Sequence, residues 1–131
     1  LPILTILINN TSKTPVYQQV AVQIRQAMLK GILSEGEALP SVRSLSSDLG
    51  VSIITIKKAY DLLEDQGLVV TQAGRGTFVL EKNLDLVRDF KLKEIQDILS
   101  RAIDAARSNG ISQEDVQELF TLLWEEPHAE D

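Results

Sequence analysis

The chain has 131 residues, 44% of them hydrophobic and 24% charged, and it contains no cysteine. That length buries one core and an appended helical element. The missing cysteines exclude a disulfide framework and thiolate chemistry, which suits a reducing cytoplasm. The net charge of −6 argues against a nucleic-acid partner until it is divided. Residues 1–80 hold 7 basic and 6 acidic groups, a net of +1, whereas residues 81–131 hold 6 and 13, a net of −7. Binding answers to the local field within a Debye length of about 8 Å. Any contact with DNA therefore belongs to the first part, and the acidic part is expected to face away from the duplex.

In chain order, the apolar opening Leu1-Pro2-Ile3-Leu4-Thr5-Ile6-Leu7-Ile8 comes first. It is too short to span a membrane and lacks the basic flank and cleavage site of a signal peptide. It reads as a β-strand that ends in an Asn9-Asn10 turn. Leu1 is not an initiator methionine, so a few residues are expected to be missing ahead of it or foreign to it. Further on, Ser41 follows Pro40 and can cap a helix whose apolar face is Val42, Leu45 and Leu49. Asp48-Leu49-Gly50-Val51 then supplies a short turn. Ser52 caps a second helix, with Ile56, Ala59, Leu62 and Leu63 on its buried side. Its other side offers Ile53, Thr55, Lys57 and Lys58 near the amino end, where a recognition helix meets bases and phosphates.

Gly67 ends that helix, and a strand starts at Leu68-Val69-Val70. The tip of the following hairpin is Ala73-Gly74-Arg75-Gly76, in which Gly74 and Gly76 let the backbone turn and push one guanidinium outward. An arginine so placed suits a narrow minor groove. Helix, turn, helix and glycine-tipped hairpin in this order read as a winged helix, and its partner is duplex DNA.

After Val79-Leu80 two helical patterns follow. The first runs from about Asn83 to Ser108, with Val87, Phe90, Ile95, Ile98, Leu99, Ala102, Ile103 and Ala106 at helical spacing, and Asn109-Gly110 stops it. Ser112 caps the second, with Asp115 three residues on and an apolar stripe of Val116, Leu119, Phe120 and Leu123. At about 26 residues the first helix would reach ~39 Å, past the edge of a small domain. Both stripes want a partner surface, and a second copy of the chain supplies one. The expected dimer face comprises Val87, Ile95, Leu99, Ala102, Leu119, Phe120 and Leu123. A two-fold dimer requires an inverted-repeat operator. The expected fold class is thus α+β, mostly α: a winged helix-turn-helix over 1–80 and a two-helix dimerisation arm over 81–131.

Several motifs resemble the GntR family of bacterial transcription regulators. They are Pro15-Val16-Tyr17-Gln18-Gln19, Gly31-Ile32-Leu33 with Gly36-Glu37, Leu39-Pro40-Ser41-Val42-Arg43-Ser44-Leu45, and Gly74-Arg75-Gly76-Thr77-Phe78-Val79. The resemblance covers about residues 12–80. It implies DNA contacts from Arg43, from Ser52, Ile53, Thr55 and Lys57, and from Gly74 and Arg75. Many relatives carry arginine, asparagine or proline where this chain has Ile53 and Ile54, and isoleucine packs on a thymine methyl rather than hydrogen-bonding a base. The short tail resembles the YtrA subfamily, which implies a dimerising repressor without a separate effector domain. A small-molecule effector would then bind across the dimer or between winged helix and arm, and no residue cluster identifies one.

Little supports catalysis. His128 is the lone histidine, in the tail Pro127-His128-Ala129-Glu130-Asp131, so no metal set is expected, and no cofactor. Glu125-Glu126 and Glu130-Asp131 read as solvated charge, and Trp124 as a partly buried residue closing the arm. Tyr17 and Tyr60 read as core rings whose hydroxyls could reach phosphates. The alternative function is a winged helix used as a protein-interaction module, which the apolar Ile53 and Ile54 favour and the basic Arg43, Lys57, Lys58 and Arg75 oppose.

Overall fold

The computed structural model of the chain describes residues 4–80 and 83–127. His128, the lone histidine, and Glu130-Asp131, read above as solvated charge, lie outside the described residues, as do Leu1-Pro2-Ile3. The elements are α1 (Val16–Leu29), α2 (Val42–Leu49), α3 (Ile53–Asp65), β1 (Val69–Gln72), β2 (Gly76–Val79), α4 (Leu84–Ser108) and α5 (Gln113–Glu125). They fall into two units, Leu1–Arg88 and Asp89–Asp131.

In the first unit α3 is the central element, packed on α1, α2 and β1. Val20, Ile24 and Met28 of α1 meet Leu45 of α2 and Ile56, Ala59 and Leu63 of α3, and Leu68, Val69 and Val79 close the core from the hairpin. Each of these side chains larger than Ala59, removed from water, stabilises the unit by about 1.5–3 kcal/mol. The helix starts follow local chemistry: Ser41 Oγ accepts from Ser44 N, and Ser52 Oγ accepts from Thr55 N. Gly50, at φ 67°, ends α2 and turns the chain toward α3.

β1 and β2 pair antiparallel, Val69 opposite Val79 and Gln72 opposite Gly76. The far edge of β2 is covered as well. Leu39 N donates to Thr77 O at 2.8 Å and Val79 N to Glu37 O at 2.9 Å, forming an isolated antiparallel bridge with Ala38 opposite Phe78. The hairpin is also tied to α3, since the Glu64 carboxylate accepts from Thr71 N at 3.2 Å and from Thr71 Oγ1 at 3.3 Å.

The expected amino-terminal strand is corrected. Residues 4–8 pair with no strand; Ile6 is buried, and the backbone is held by α1 side chains. Gln23 accepts from Leu7 N at 2.9 Å and donates to Leu7 O at 2.7 Å. Gln19 does the same for Asn9, accepting from its N at 2.9 Å and donating to its O at 3.0 Å. Primary amides offer the donor and acceptor of a peptide group, so they satisfy an extended segment without a sheet.

Leu84 and Val87, in the first turn of α4, pack against the core of the first unit. Val87, expected on the dimer face, is therefore partly covered already. Asn83 seals this junction: its Nδ2 donates to Gln66 O at 3.2 Å, and a Cβ on Gly67 (φ 74°) would collide with it.

In the second unit Ser112 Oγ accepts from Asp115 N at 3.1 Å, starting α5 as read from the sequence. Neither α4 nor α5 has a buried residue, and the two do not pack along their lengths. Trp124, expected to be partly buried, is 78% exposed and stacks on Phe120 with ring centroids 5.7 Å apart. Among the described residues no helix is long and apolar enough to cross a membrane.

Candidate nucleic-acid interface

The inner side of α3 is fixed by Ile56, Ala59, Tyr60 and Leu63, all buried. At 100° per residue the opposite pole falls on Ile54, which is 79% exposed, with Lys57, Lys58 and Asp61 beside it. Ile53, 45% exposed, lies at the edge of this surface. Thr55, expected among the DNA contacts, is half-buried on the other flank. Its hydroxyl lies 2.8 Å from Ser52 Oγ, so both hydroxyls serve the cap. Sequence reading left Ile54 out of the contact set. The helical wheel could have found it, since position 54 stands opposite the mean direction of 56, 59 and 63.

The cations on α3 have weak local partners. Lys57 Nζ is 3.7 Å from Asp61 in an exposed ion pair, and Lys58 Nζ sits 4.2 Å from the centre of the Tyr17 ring. Such contacts are worth about 0–1 kcal/mol each, little enough to be exchanged for a phosphate. Gln18 Nε2 donates to Tyr17 OH at 3.2 Å. Tyr60 is a structural residue: its hydroxyl donates to Pro40 O at 2.7 Å, and burial pushes the phenol well above its ordinary range. That bond pins α3 to the segment carrying the Ser41 cap and Arg43. Arg43 is exposed and has no ion-pair partner among the described residues.

At the wing, Arg75 N donates to Gln72 O at 2.9 Å, closing the turn, and Arg75 is exposed. Gly74 at φ 75° and Gly76 at φ 125° adopt backbone geometry that a side chain would strain. Among the described residues no group of three or more His, Cys, Asp or Glu could hold a metal ion.

A helix held out by a helix-turn-helix, its outer face bearing lysines, beside a glycine-framed arginine on a hairpin, defines a DNA-binding regulator of the winged-helix class. The family model for bacterial regulatory proteins of the gntR family matches residues 16–79. The chain is 35% identical over 113 residues to the HTH-type transcriptional repressor YtrA of Bacillus subtilis (strain 168), covering 86% of this chain and 87% of that one. It belongs to the GntR family. Among solved structures it is similar to YtrA from Sulfolobus acidocaldarius, a GntR-family transcription factor, with 40% identity and a TM-score of 0.56 over 70% of this chain and 97% of that one. It is also similar to AraR(DBD) in complex with operator ORX1, with 32% identity and a TM-score of 0.54 over 59% of this chain and 96% of that one. The regulator is not an enzyme.

Proposed function

We propose that this protein is a transcriptional repressor that acts in the cytoplasm as a homodimer on an inverted-repeat operator. The outward face of α3, with Ile53, Ile54, Lys57 and Lys58, carries the reading; it would enter the major groove while Arg75 probes the adjacent minor groove. Arg43 and the first turn of α3 at Ser52 would meet phosphates. The likeness to a repressor supports repression over activation. Homodimerisation is supported by the second unit, where Ile95, Leu99, Leu119, Phe120 and Leu123 are large, apolar and exposed on two helices without a fully buried residue. Together with Ala102 they form the proposed interface. A small-molecule effector would bind across that dimer.

The second reading, a protein-interaction module, is favoured by the exposure of Ile53 and Ile54. Footprinting the purified protein on the DNA upstream of its own gene separates the two. A protected inverted repeat, with half-site centres about 34 Å apart, supports the repressor. Uniform, salt-sensitive binding with no protected site would favour the interaction module.

A further inference from the structure

Ile54 is the most exposed large hydrophobic residue among those described, at 79%, although the first unit has a filled core directly beneath it. So placed, it does nothing for folding. The hydrogen-bonding side chains of the same turn are engaged elsewhere. Ser52 Oγ accepts from Thr55 N at 3.1 Å and lies 2.8 Å from Thr55 Oγ1. Lys57 and Lys58 are long cations suited to the phosphate backbone. What the first turn of α3 can present to base edges is hydrocarbon. In the major groove, the apolar group that distinguishes one base from another is the C5-methyl of thymine.

We infer that Ile54 is a specificity-determining residue that reads a thymine C5-methyl in each half-site, with Ile53 shielding the contact from water. This rests on the proposal that α3 enters the major groove. A side chain reading only a methyl does not distinguish thymine from 5-methylcytosine by that contact. Thymine is therefore selected by its methyl at this position and by neighbouring shape, not by its hydrogen-bonding pattern.

The test uses the full-length protein. Operators are selected from a random duplex library, and each thymine of the selected half-site is then replaced singly by deoxyuridine, which removes the methyl and keeps the pairing. Wild type is expected to lose about fourfold in affinity per half-site at one thymine, the worth of one buried methyl. Ile54→Ala should bind the thymine and deoxyuridine operators equally, while Ile54→Val keeps most of the difference. At the same position wild type should prefer 5-methylcytosine to cytosine by a similar factor, and Ile54→Ala should not. A wild type indifferent to every deoxyuridine replacement overturns the inference, as does an Ile54→Ala variant that keeps the full difference. Failure to enrich any sequence would instead bring down the major-groove proposal, and this inference with it.

Discussion

Up to Arg88 the large aliphatic side chains Val20, Ile24, Ile56, Leu63 and Leu68 are sealed from water; from Asp89 onward Ile95, Ile98, Leu99, Leu119 and Leu123 are open to it. Both regions carry apolar stripes of helical period. The period states which side of a helix is apolar, and is silent on what covers it. In the first unit three helices and a hairpin cover one another. In the second, two helices that do not pack along their lengths leave both stripes uncovered, and under the proposed dimer it is association that covers them.

Truncation after Arg88 tests that contrast most severely. The shortened chain keeps Leu84 and Val87, and should stay folded, sediment as a monomer and bind the operator roughly 10²–10⁴-fold more weakly, because two half-sites are no longer linked. If it dimerises and binds as before, the contact lies in the first unit.

Paired single substitutions come next. Leu63→Ala should lower unfolding stability by about 2–5 kcal/mol at any protein concentration, since that side chain is wholly buried. Leu99→Ala should act instead through the concentration at which the dimer dissociates. Denaturant unfolding at two protein concentrations reads both, and a concentration-independent loss for Leu99→Ala would make the arm a self-sufficient core.

Within the first unit, Arg75→Ala should cost about 1–3 kcal/mol of binding on operators with A·T-rich flanks and less on G·C-rich ones. Titrations against operators differing only in those flanks decide it, and equal losses would make Arg75 a phosphate contact.

Tyr60→Phe should have the smallest effect, about 0.5–1.5 kcal/mol of stability at neutral pH, through loss of the bond to Pro40 O. It should also change the alkaline limb. Burial raises the folded-state pKa of Tyr60 above its unfolded value, so its contribution is complete below about pH 10 and is lost as pH rises further. Unfolding curves above that pH should fall more steeply for wild type than for the variant.

The parts legible in the sequence were those set by short-range chemistry. Ser41, Ser52 and Ser112 each accept from the backbone N–H three residues on, a contact independent of the rest of the fold. The glycines of the wing are likewise local. By contrast, α1 begins at Val16 after an N-cap Pro15 that makes no side-chain bond, and residue patterning alone gives no reading of it. The apolar residues 4–8 suggested a strand because β-branched side chains suit a half-buried extended backbone, but that preference does not supply a neighbouring strand. Thr55 and Ile54 show a similar limit: threonine reads as a polar contact from its type alone, whereas the fold engages its hydroxyl with the Ser52 cap, and Ile54, left out of the contact set, is turned outward by the phase of the helix.

The pairing of Gln19 and Gln23 with the amino-terminal backbone has a consequence for exchange kinetics. The amide protons of Leu7 and Asn9 are bonded to side-chain carbonyls, and Ile6 beside them is buried, so releasing these protons to solvent requires lifting the segment from α1. Ile8 N and Asn10 N donate no hydrogen bond among the described residues. Deuterium uptake should therefore alternate along residues 7–10, slow and fast in turn. That is the rhythm of an edge strand, produced here by two glutamines standing in for the neighbouring chain.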